Sequence, residues 1–199
     1  MIQKELYNIM INFFNWLKPD KSKSLKIFDD VYLRQGEILN IYGEPYVGKT
    51  LFTYYIINNN INKSFMLFDT ENSLYPMLEE ISKKVPVIYS LINDLKNIKY
   101  MIWNFIDKVD CFIIDSITAT DVDNDIKQNI LIDIFNIVEK NNKNLIMVSQ
   151  NRQNCKGQMF YEDKKIIDFM SYKAEVKDCE NGCMVNNKYK INKNFLKGE

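Results

Sequence analysis

The chain has 199 residues, of which 46% are hydrophobic; this is enough for one domain with a sizeable core and too much for a disordered tail. Twenty-six basic residues balance twenty-six acidic residues, so the net charge is zero. That balance excludes long-range attraction to nucleic acid or anionic lipid, and any nucleic-acid contact has to be local or shared between subunits.

Residues 1–19 form the first predicted element, an amphipathic helix that ends at Pro19. Its apolar stripe is interrupted by Lys4, Glu5 and several asparagines, which excludes a membrane span. Two interpretations stay open: the helix covers the core of its own domain, or it docks as an arm on a neighbouring subunit. The segment does not resemble a signal peptide, so we expect a cytoplasmic or nucleoid-associated protein that is not secreted.

Residues 25–199 are expected to form a single α/β domain. Short apolar runs alternate with helical segments, as a parallel sheet covered on both faces requires. The runs that predict strands are 37–42, 64–69, 85–90, 109–115 and 144–150. The helices are expected over 49–59, from near Ser73, through Trp103 and over 125–141.

The carboxy-terminal part changes character. Residues 169–178 and 183–193 flank the turn sequence "ENG" and predict an antiparallel hairpin that extends the sheet. Cys179 and Cys183 stand on either side of this turn, and the sequence leaves open whether they pair. Without a secretory context, reduced thiols are favoured over a disulfide.

The stretch "GEPYVGKT" follows a predicted strand and precedes a predicted helix, which is the setting of a phosphate-binding loop. Backbone N–H groups and the positive end of the helix hold phosphates in such loops. The lysine reaches the β- and γ-phosphates of ATP, and the threonine hydroxyl reaches Mg²⁺. The predicted nucleotide-binding residues are Gly43, Glu44, Pro45, Tyr46, Val47, Gly48, Lys49 and Thr50.

Three further polar residues end predicted strands. Asp115 closes the run 109–115, at the edge where α/β sheets bind ligands, and is the candidate second Mg²⁺ ligand beside Thr50. Glu71 in "FDTEN" is the candidate general base for the water that attacks the γ-phosphate. Gln150 in "VSQN" is the candidate amide that donates to the γ-phosphate.

These four pieces, in this order, resemble the RecA superfamily, which includes the archaeal RadA and RadB proteins. "ILNIYGEPYVGKT" resembles the first strand and phosphate loop of that family, and "FDTEN" resembles the strand with its catalytic glutamate. "CFIIDSI" resembles the magnesium strand, and "VSQNRQ" the glutamine that leads into a DNA-binding loop. The resemblance implies a RecA-like P-loop NTPase with a mainly parallel, twisted sheet flanked by helices, and a Mg²⁺-dependent ATPase that assembles on DNA.

The resemblance also implies contacts outside the ATP pocket. The segment after Gln150 is expected to contact single-stranded DNA, with bases stacking on its aromatic rings; its candidates are Arg152, Lys156, Phe160, Tyr161, Lys164 and Lys165. The other expected loop, around residues 118–125, is short and acidic. Lys193 in the tail matches a lysine that reaches the γ-phosphate of a neighbouring subunit, whereas Phe195 stands where that family has a second lysine.

Two departures from full recombinases are expected to matter: the sequence contains no segment that resembles their additional DNA-binding domains, and it contains no Phe-x-x-Ala docking motif. It is close in size to RadB-like proteins. The favoured hypothesis is a DNA-dependent ATPase in homologous recombination or DNA repair, as a small recombinase or an accessory paralog. It implies self-association or binding to a related recombinase. The alternatives are a nucleotide-binding regulator with poor turnover that works through a partner protein, and a KaiC-like or helicase-like ATPase.

Overall fold

The computed structural model describes residues 22–73, 75–120, 124–150, 170–192 and Asn194. Ten strands lie in this part of the chain, two in a small hairpin and eight in one sheet. Their bounds are β1 (Leu25–Phe28), β2 (Val31–Leu33), β3 (Ile38–Gly43), β4 (Phe65–Asp69), β5 (Val87–Leu91), β6 (Cys111–Asp115), β7 (Asn144–Gln150), β8 (Tyr172–Cys179), β9 (Gly182–Val185) and β10 (Tyr189–Asn192).

The large sheet has the order β10-β9-β8-β3-β7-β6-β4-β5. Strands β3 to β8 pair in parallel, and β9 and β10 continue the sheet as antiparallel strands. The predicted α/β class, the mainly parallel sheet and the antiparallel carboxy-terminal extension are therefore confirmed. One strand, β7, lies between the strand that leads into the glycine loop and the strand that ends in Asp115.

Helices cover both faces of the sheet. They are α1 (Lys49–Asn58), α2 (Tyr75–Ser82), α3 (Leu95–Phe105) and α4 (Asn124–Lys140). Alternate residues of each central strand face opposite cores: in β4, Phe65 and Leu67 pack in the core with α1, and Met66 and Phe68 pack in the core with α3 and α4. This two-sided burial explains the continuous apolar runs in the sequence.

The helices begin where the sequence signals them. Asp94 caps α3 by accepting a hydrogen bond from the backbone N–H of Lys96 at 2.9 Å. Leu95, Ile98 and Ile102, at helical spacing, form the buried face of that helix. Helix α1 begins directly after Gly48, so the glycine loop runs straight into a helix amino terminus.

The structure corrects two points of the expected chain order. Strands β1 and β2 form a hairpin ahead of the sheet that the sequence did not predict. The second arm of the carboxy-terminal hairpin is two strands, β9 and β10, because the chain turns at Asn186 and Asn187. Both asparagines have positive φ, 51° and 53°, as a tight hairpin turn requires.

The two cysteines of the hairpin do not form a disulfide. Neither Cys179 nor Cys183 takes part in a disulfide in the described structure. Cys179 pairs with Gly182 and Asp178 with Cys183, so the two cysteine side chains lie on opposite faces of the ladder. The pairing of Cys179 with Cys183 that the sequence left open is thus not formed.

The predicted helix over residues 1–19 lies outside the described residues. Among those that the structure describes, no helix has the length and apolarity needed to cross a membrane.

Candidate functional site at the carboxyl edge of the sheet

The candidate polar residues follow strands whose carboxyl ends meet at one edge of the sheet. Gly43 at the end of β3 is in register with Gln150 at the end of β7. Asp69 at the end of β4 is in register with Asp115 at the end of β6. Because the strands are parallel, the segments that follow them all leave the sheet on the same side.

The glycine loop is shaped by its two glycines. Gly48 has a φ of 97° and caps α1, a backbone conformation that residues with a side chain rarely adopt. At Gly43, an added Cβ would lie 2.3 Å from the carbonyl oxygen of Val176, so only glycine fits. Between them, Tyr46 also has a positive φ, 66°, and its side chain is fully exposed. The bulky mid-loop residue therefore does not fill the loop.

Lys49 is buried at the start of α1, with 7% of its surface exposed. Its ammonium group donates to the carbonyl oxygens of Gly43 at 3.1 Å and Glu44 at 2.6 Å. Burial lowers the pKa of Lys49, and the negative charges of Asp115 and Glu71 partly offset that effect. The ammonium thus sits within the loop, close to both carboxylates.

Thr50 and Asp115 contact each other directly. The Thr50 hydroxyl donates to Oδ2 of Asp115 at 3.0 Å. Burial raises the pKa of Asp115 to about 7; Asp69 and Glu71 also raise it, whereas the Thr50 hydrogen bond and Lys49 lower it. A buried carboxylate that is disfavoured as an anion is one that a bound cation stabilises.

The oxygen atoms of this pair fit Mg²⁺ of a nucleotide complex better than a metal held by protein alone. Mg²⁺ usually takes one or two carboxylates and completes its shell with water and substrate phosphates. Within the described ranges, no group of three or more His, Cys, Asp or Glu side chains is placed to hold a metal ion. The Thr50 hydroxyl and the Asp115 carboxylate would hold Mg²⁺ only if a ligand at the glycine loop supplied further oxygen atoms.

Glu71 and Gln150 meet across the mouth of the site. The Gln150 amide nitrogen donates to both carboxylate oxygens of Glu71, at 3.1 Å each. Glu71 is exposed and Gln150 is half-buried, so the contact lies at the solvent side. Both residues are on the same edge as Lys49, as the sequence predicted for a shared site.

The turn that carries Glu71 is fixed by Asp69, which the sequence reasoning did not single out. Oδ1 of the buried Asp69 accepts from the backbone N–H groups of Glu71 and Ser73, both at 3.1 Å. Its Oδ2 accepts from the hydroxyl of Tyr89 at 2.9 Å. An aspartate that binds the N–H two residues on is a local turn signal, and "DTE" contains it.

Thr70 joins this turn to the segment after Asp115. Its hydroxyl accepts from the Ser116 N–H at 2.8 Å and donates to the Ser116 carbonyl at 2.7 Å. The Ser116 hydroxyl in turn lies 2.8 Å from that of Thr118. These contacts join the turn that carries Glu71, the candidate base, to the segment that follows Asp115, the candidate metal ligand. No local sequence signal predicts them, because the partners are 46 residues apart.

Lys127 of α4 makes hydrogen bonds to the segment that follows Ser116. Its ammonium group donates to the carbonyl oxygens of Ile117 at 3.2 Å and Thr120 at 3.1 Å. The 3-10 helix Ile117–Ala119, which follows Asp115, is therefore tied to α4. This lysine was also not predicted.

The structure thus brings together five of the predicted residues: Lys49, Thr50, Glu71, Asp115 and Gln150. Of the remaining loop residues, Gly43 and Glu44 contact Lys49; Glu44 and Pro45 are exposed, and Val47 is half-buried against the core. The predicted DNA contacts Arg152, Lys156, Phe160, Tyr161, Lys164 and Lys165 lie outside the described residues, as does Lys193.

Comparison with known proteins adds no further assignment. No protein-family model matches the chain, and no curated protein matches it. The resemblance carried by the four motifs therefore remains a prediction, and the geometry of the site is what supports a function.

Proposed function

We propose that this chain binds ATP with Mg²⁺ at the carboxyl edge of its sheet and hydrolyses it, as a DNA-dependent ATPase of the RecA type in recombination or repair. The supporting observation is the convergence of Lys49, Thr50, Glu71, Asp115 and Gln150, contributed by separate strand ends. Each has the chemical character that its role in phosphoryl transfer requires.

The glycine loop binds the phosphates. Its backbone N–H groups and the amino terminus of α1 provide the partial positive charge. Lys49 exchanges the loop carbonyls that it now contacts for the β- and γ-phosphate oxygens. Thr50 and Asp115 would hold Mg²⁺, which would supply positive charge to neutralise the phosphate oxygens.

Glu71 acts as the general base for the attacking water. In the described geometry both of its oxygens accept from Gln150. When ATP binds, we expect the amide to turn toward the γ-phosphate, which leaves both Glu71 oxygens open to the attacking water. Gln150 is then free to donate to the γ-phosphate. Asp69 and Thr70 keep the Glu71 turn in place during this exchange.

The link to DNA rests on the motif resemblance and on the position of Gln150. The predicted single-strand contact begins at the next residues of the chain, 151 and 152. A shift of Gln150 on nucleotide binding is therefore transmitted directly to that segment, which is how an ATPase couples nucleotide state to a partner.

A hydrolysis assay on the purified protein tests the proposal. Phosphate release is measured with ATP and Mg²⁺, with EDTA, and with and without single-stranded DNA. We expect Mg²⁺-dependent turnover that DNA increases. Glu71→Gln removes the base but keeps the side-chain shape, so turnover falls by about 10²–10⁴ while ATP remains bound.

Glu79→Gln is the matched control, because Glu79 is an exposed glutamate on α2 paired with Lys83 at 3.4 Å. It should turn over as the unmodified protein does. Unchanged turnover in Glu71→Gln would remove Glu71 from its role. Equal turnover with and without DNA would discard the recombination assignment and leave an ATPase of another kind.

Arg152→Ala separates the DNA contact from the ATP site. It should weaken binding to single-stranded DNA and reduce its salt dependence, with ATP affinity unaltered. Wild-type DNA affinity with the usual salt dependence in this variant would refute the predicted contact.

A further inference from the structure

The carboxy-terminal strands lie directly against the glycine loop. Strand β8 pairs with β3, and the carbonyl of its Val176 would be 2.3 Å from a Cβ at Gly43. Real Cβ atoms do not approach a backbone oxygen so closely. The backbone of β8 therefore packs directly against Gly43, the residue at which the loop leaves the sheet. The first glycine of the loop is thus in contact with the carboxy-terminal extension.

The second contact comes from Cys183 on β9. An added Cβ at Gly48 would lie 2.8 Å from the Cβ and 3.4 Å from the Sγ of Cys183. Cys183 is fully buried, in the same core cluster as Leu51 of α1. The small cysteine side chain therefore occupies the space directly behind the residue at which α1 begins.

Strand β9 is held in the sheet by backbone pairing on both of its edges. On its far side it pairs with β10, where an added Cβ at Gly182 would lie 1.8 Å from the carbonyl oxygen of Ile191. Beyond that pair, the ring of Tyr189 on β10 stacks on Phe28 of the amino-terminal hairpin, with ring centroids 3.8 Å apart. Since β9 is anchored in this way and Cys183 lies against Gly48, we expect a larger side chain at position 183 to displace the loop.

We infer that Cys183 is a positioning residue of the nucleotide site, and that the carboxy-terminal extension sets the shape of the phosphate loop through it. The inference rests on the proposed function, since it assigns a role in ATP binding. The N–H groups around Gly48 bind phosphate only when they point into the loop, so their displacement weakens ATP binding. Glu71 and Asp115 stay in place, so the effect appears in KM and in ATP affinity and much less in kcat.

The test enlarges two side chains on one face of β9. Cys183→Val adds bulk against Gly48, whereas Val185→Ile adds bulk two residues along the same buried face, beneath α1 and away from the loop. Cys183→Ser keeps the small size. Affinity is measured with a fluorescent ATP analogue, turnover by phosphate release, and folding by thermal melting without nucleotide.

We expect Cys183→Val to weaken ATP affinity and raise KM about tenfold or more, with kcat within about threefold of the unmodified protein. Val185→Ile and Cys183→Ser should bind ATP within about twofold, even where their melting temperatures fall. The inference is overturned if Cys183→Val binds ATP normally, or if Val185→Ile weakens binding equally. If the unmodified protein binds no ATP, the proposed function itself fails, and this result is distinct from the other two.

A second measurement requires no substitution, should Cys183→Val not fold. Alkylation of each thiol by a maleimide is followed by mass spectrometry with and without ATP and Mg²⁺. Bound ATP should slow the reaction at Cys183 severalfold, because it fixes the loop that covers this thiol. Cys179, on the other face of the hairpin, should react at the same rate in both conditions. An equal rate at Cys183 in both conditions would contradict the inference.

Discussion

Strands β4 and β6 are joined by a hydroxyl contact at each end, and the two ends differ in what they leave for a ligand. At the amino-terminal end, the Ser64 hydroxyl donates to Asp110 at 2.8 Å and accepts from the Asp110 N–H at 3.1 Å. At the carboxyl end, the Thr70 hydroxyl makes the corresponding pair of bonds to the backbone of Ser116.

The aspartate carboxylates beside these two contacts, Asp110 and Asp115, have different surroundings. Oδ2 of Asp110 accepts both the N–H and the hydroxyl of Ser64, each at 2.8 Å. Asp115, five residues later, accepts the Thr50 hydroxyl, and its pKa is raised to about 7, first of all by burial. At the amino-terminal edge, the Asp110 carboxylate makes internal hydrogen bonds that stabilise the fold. At the carboxyl edge, burial disfavours the anionic form of Asp115, and a bound cation would stabilise it.

Replacing the two aspartates gives the largest expected contrast. Asp115→Asn removes a proposed Mg²⁺ ligand and should lower ATP turnover by about 10²–10³. Since burial disfavours the charge at this position, the unliganded variant should be as stable as the unmodified protein at pH 8, or more so. Asp110→Asn should keep turnover and lose about 1 kcal/mol of unfolding free energy, since a charge-assisted contact becomes neutral. Stability is measured by urea unfolding and turnover by phosphate release. If the two variants lost turnover equally, the proposed difference between Asp110 and Asp115 would be wrong.

The next comparison is between alanine substitutions at Gly48 and Gly36, which both have positive φ. Gly48→Ala should lower ATP affinity at least about tenfold, because the added Cβ meets Cys183 and shifts the loop. At Gly36, φ is 82° and an added Cβ would lie 3.5 Å from the Glu139 carbonyl, an ordinary contact. Gly36→Ala should therefore cost about 1–2 kcal/mol of stability from backbone strain alone. ATP affinity is measured by titration. If Gly48→Ala and Gly36→Ala bound ATP equally well, a specific role of Gly48 in the loop would be ruled out.

The two hydroxyl contacts provide a smaller contrast. Thr70→Val should lower kcat about three- to tenfold with little change in KM, because the Glu71 turn loses its link to Ser116. Ser64→Ala should leave both kinetic constants unchanged and cost about 1–2 kcal/mol of stability. A kinetic effect of Ser64→Ala as large as that of Thr70→Val would mean that the effect is one of general destabilisation.

The smallest expected effect is at Tyr46. Its φ of 66° is unfavourable for an aromatic residue and acceptable for asparagine, and its exposed ring makes no packing contribution. Tyr46→Asn should raise the free energy of unfolding by no more than about 1 kcal/mol. A loss of stability greater than that would show that the ring has a contact that the exposed conformation does not explain.

The central fold was readable from the sequence because three buried strands, β4, β6 and β7, are apolar runs that end in a polar residue. β4, β6 and β7 were predicted within two residues of their observed bounds. The hairpin β1–β2 was missed, since strands of four and three residues are too short to establish a period. The turn at Asn186 and Asn187 was overlooked although asparagine tolerates positive φ, because the sequence lacks the stronger Asn-Gly signal there.

The sequence by itself determined the type and order of the polar residues at the ligand edge. Lys49, Thr50, Glu71, Asp115 and Gln150 each follow from a local pattern, a glycine loop or the end of an apolar run. Local patterns are preserved in sequence because the backbone conformation they encode involves only a few neighbouring residues.

Only the tertiary structure decided which side chains support that site. Asp69 orients the Glu71 turn, Thr70 joins it to Ser116, and Cys183 fills the space behind Gly48. The last two depend on strand order and register, which bring together residues far apart in the chain. Such pairings arise from the packing of the whole sheet, and the sequence around either partner does not contain them.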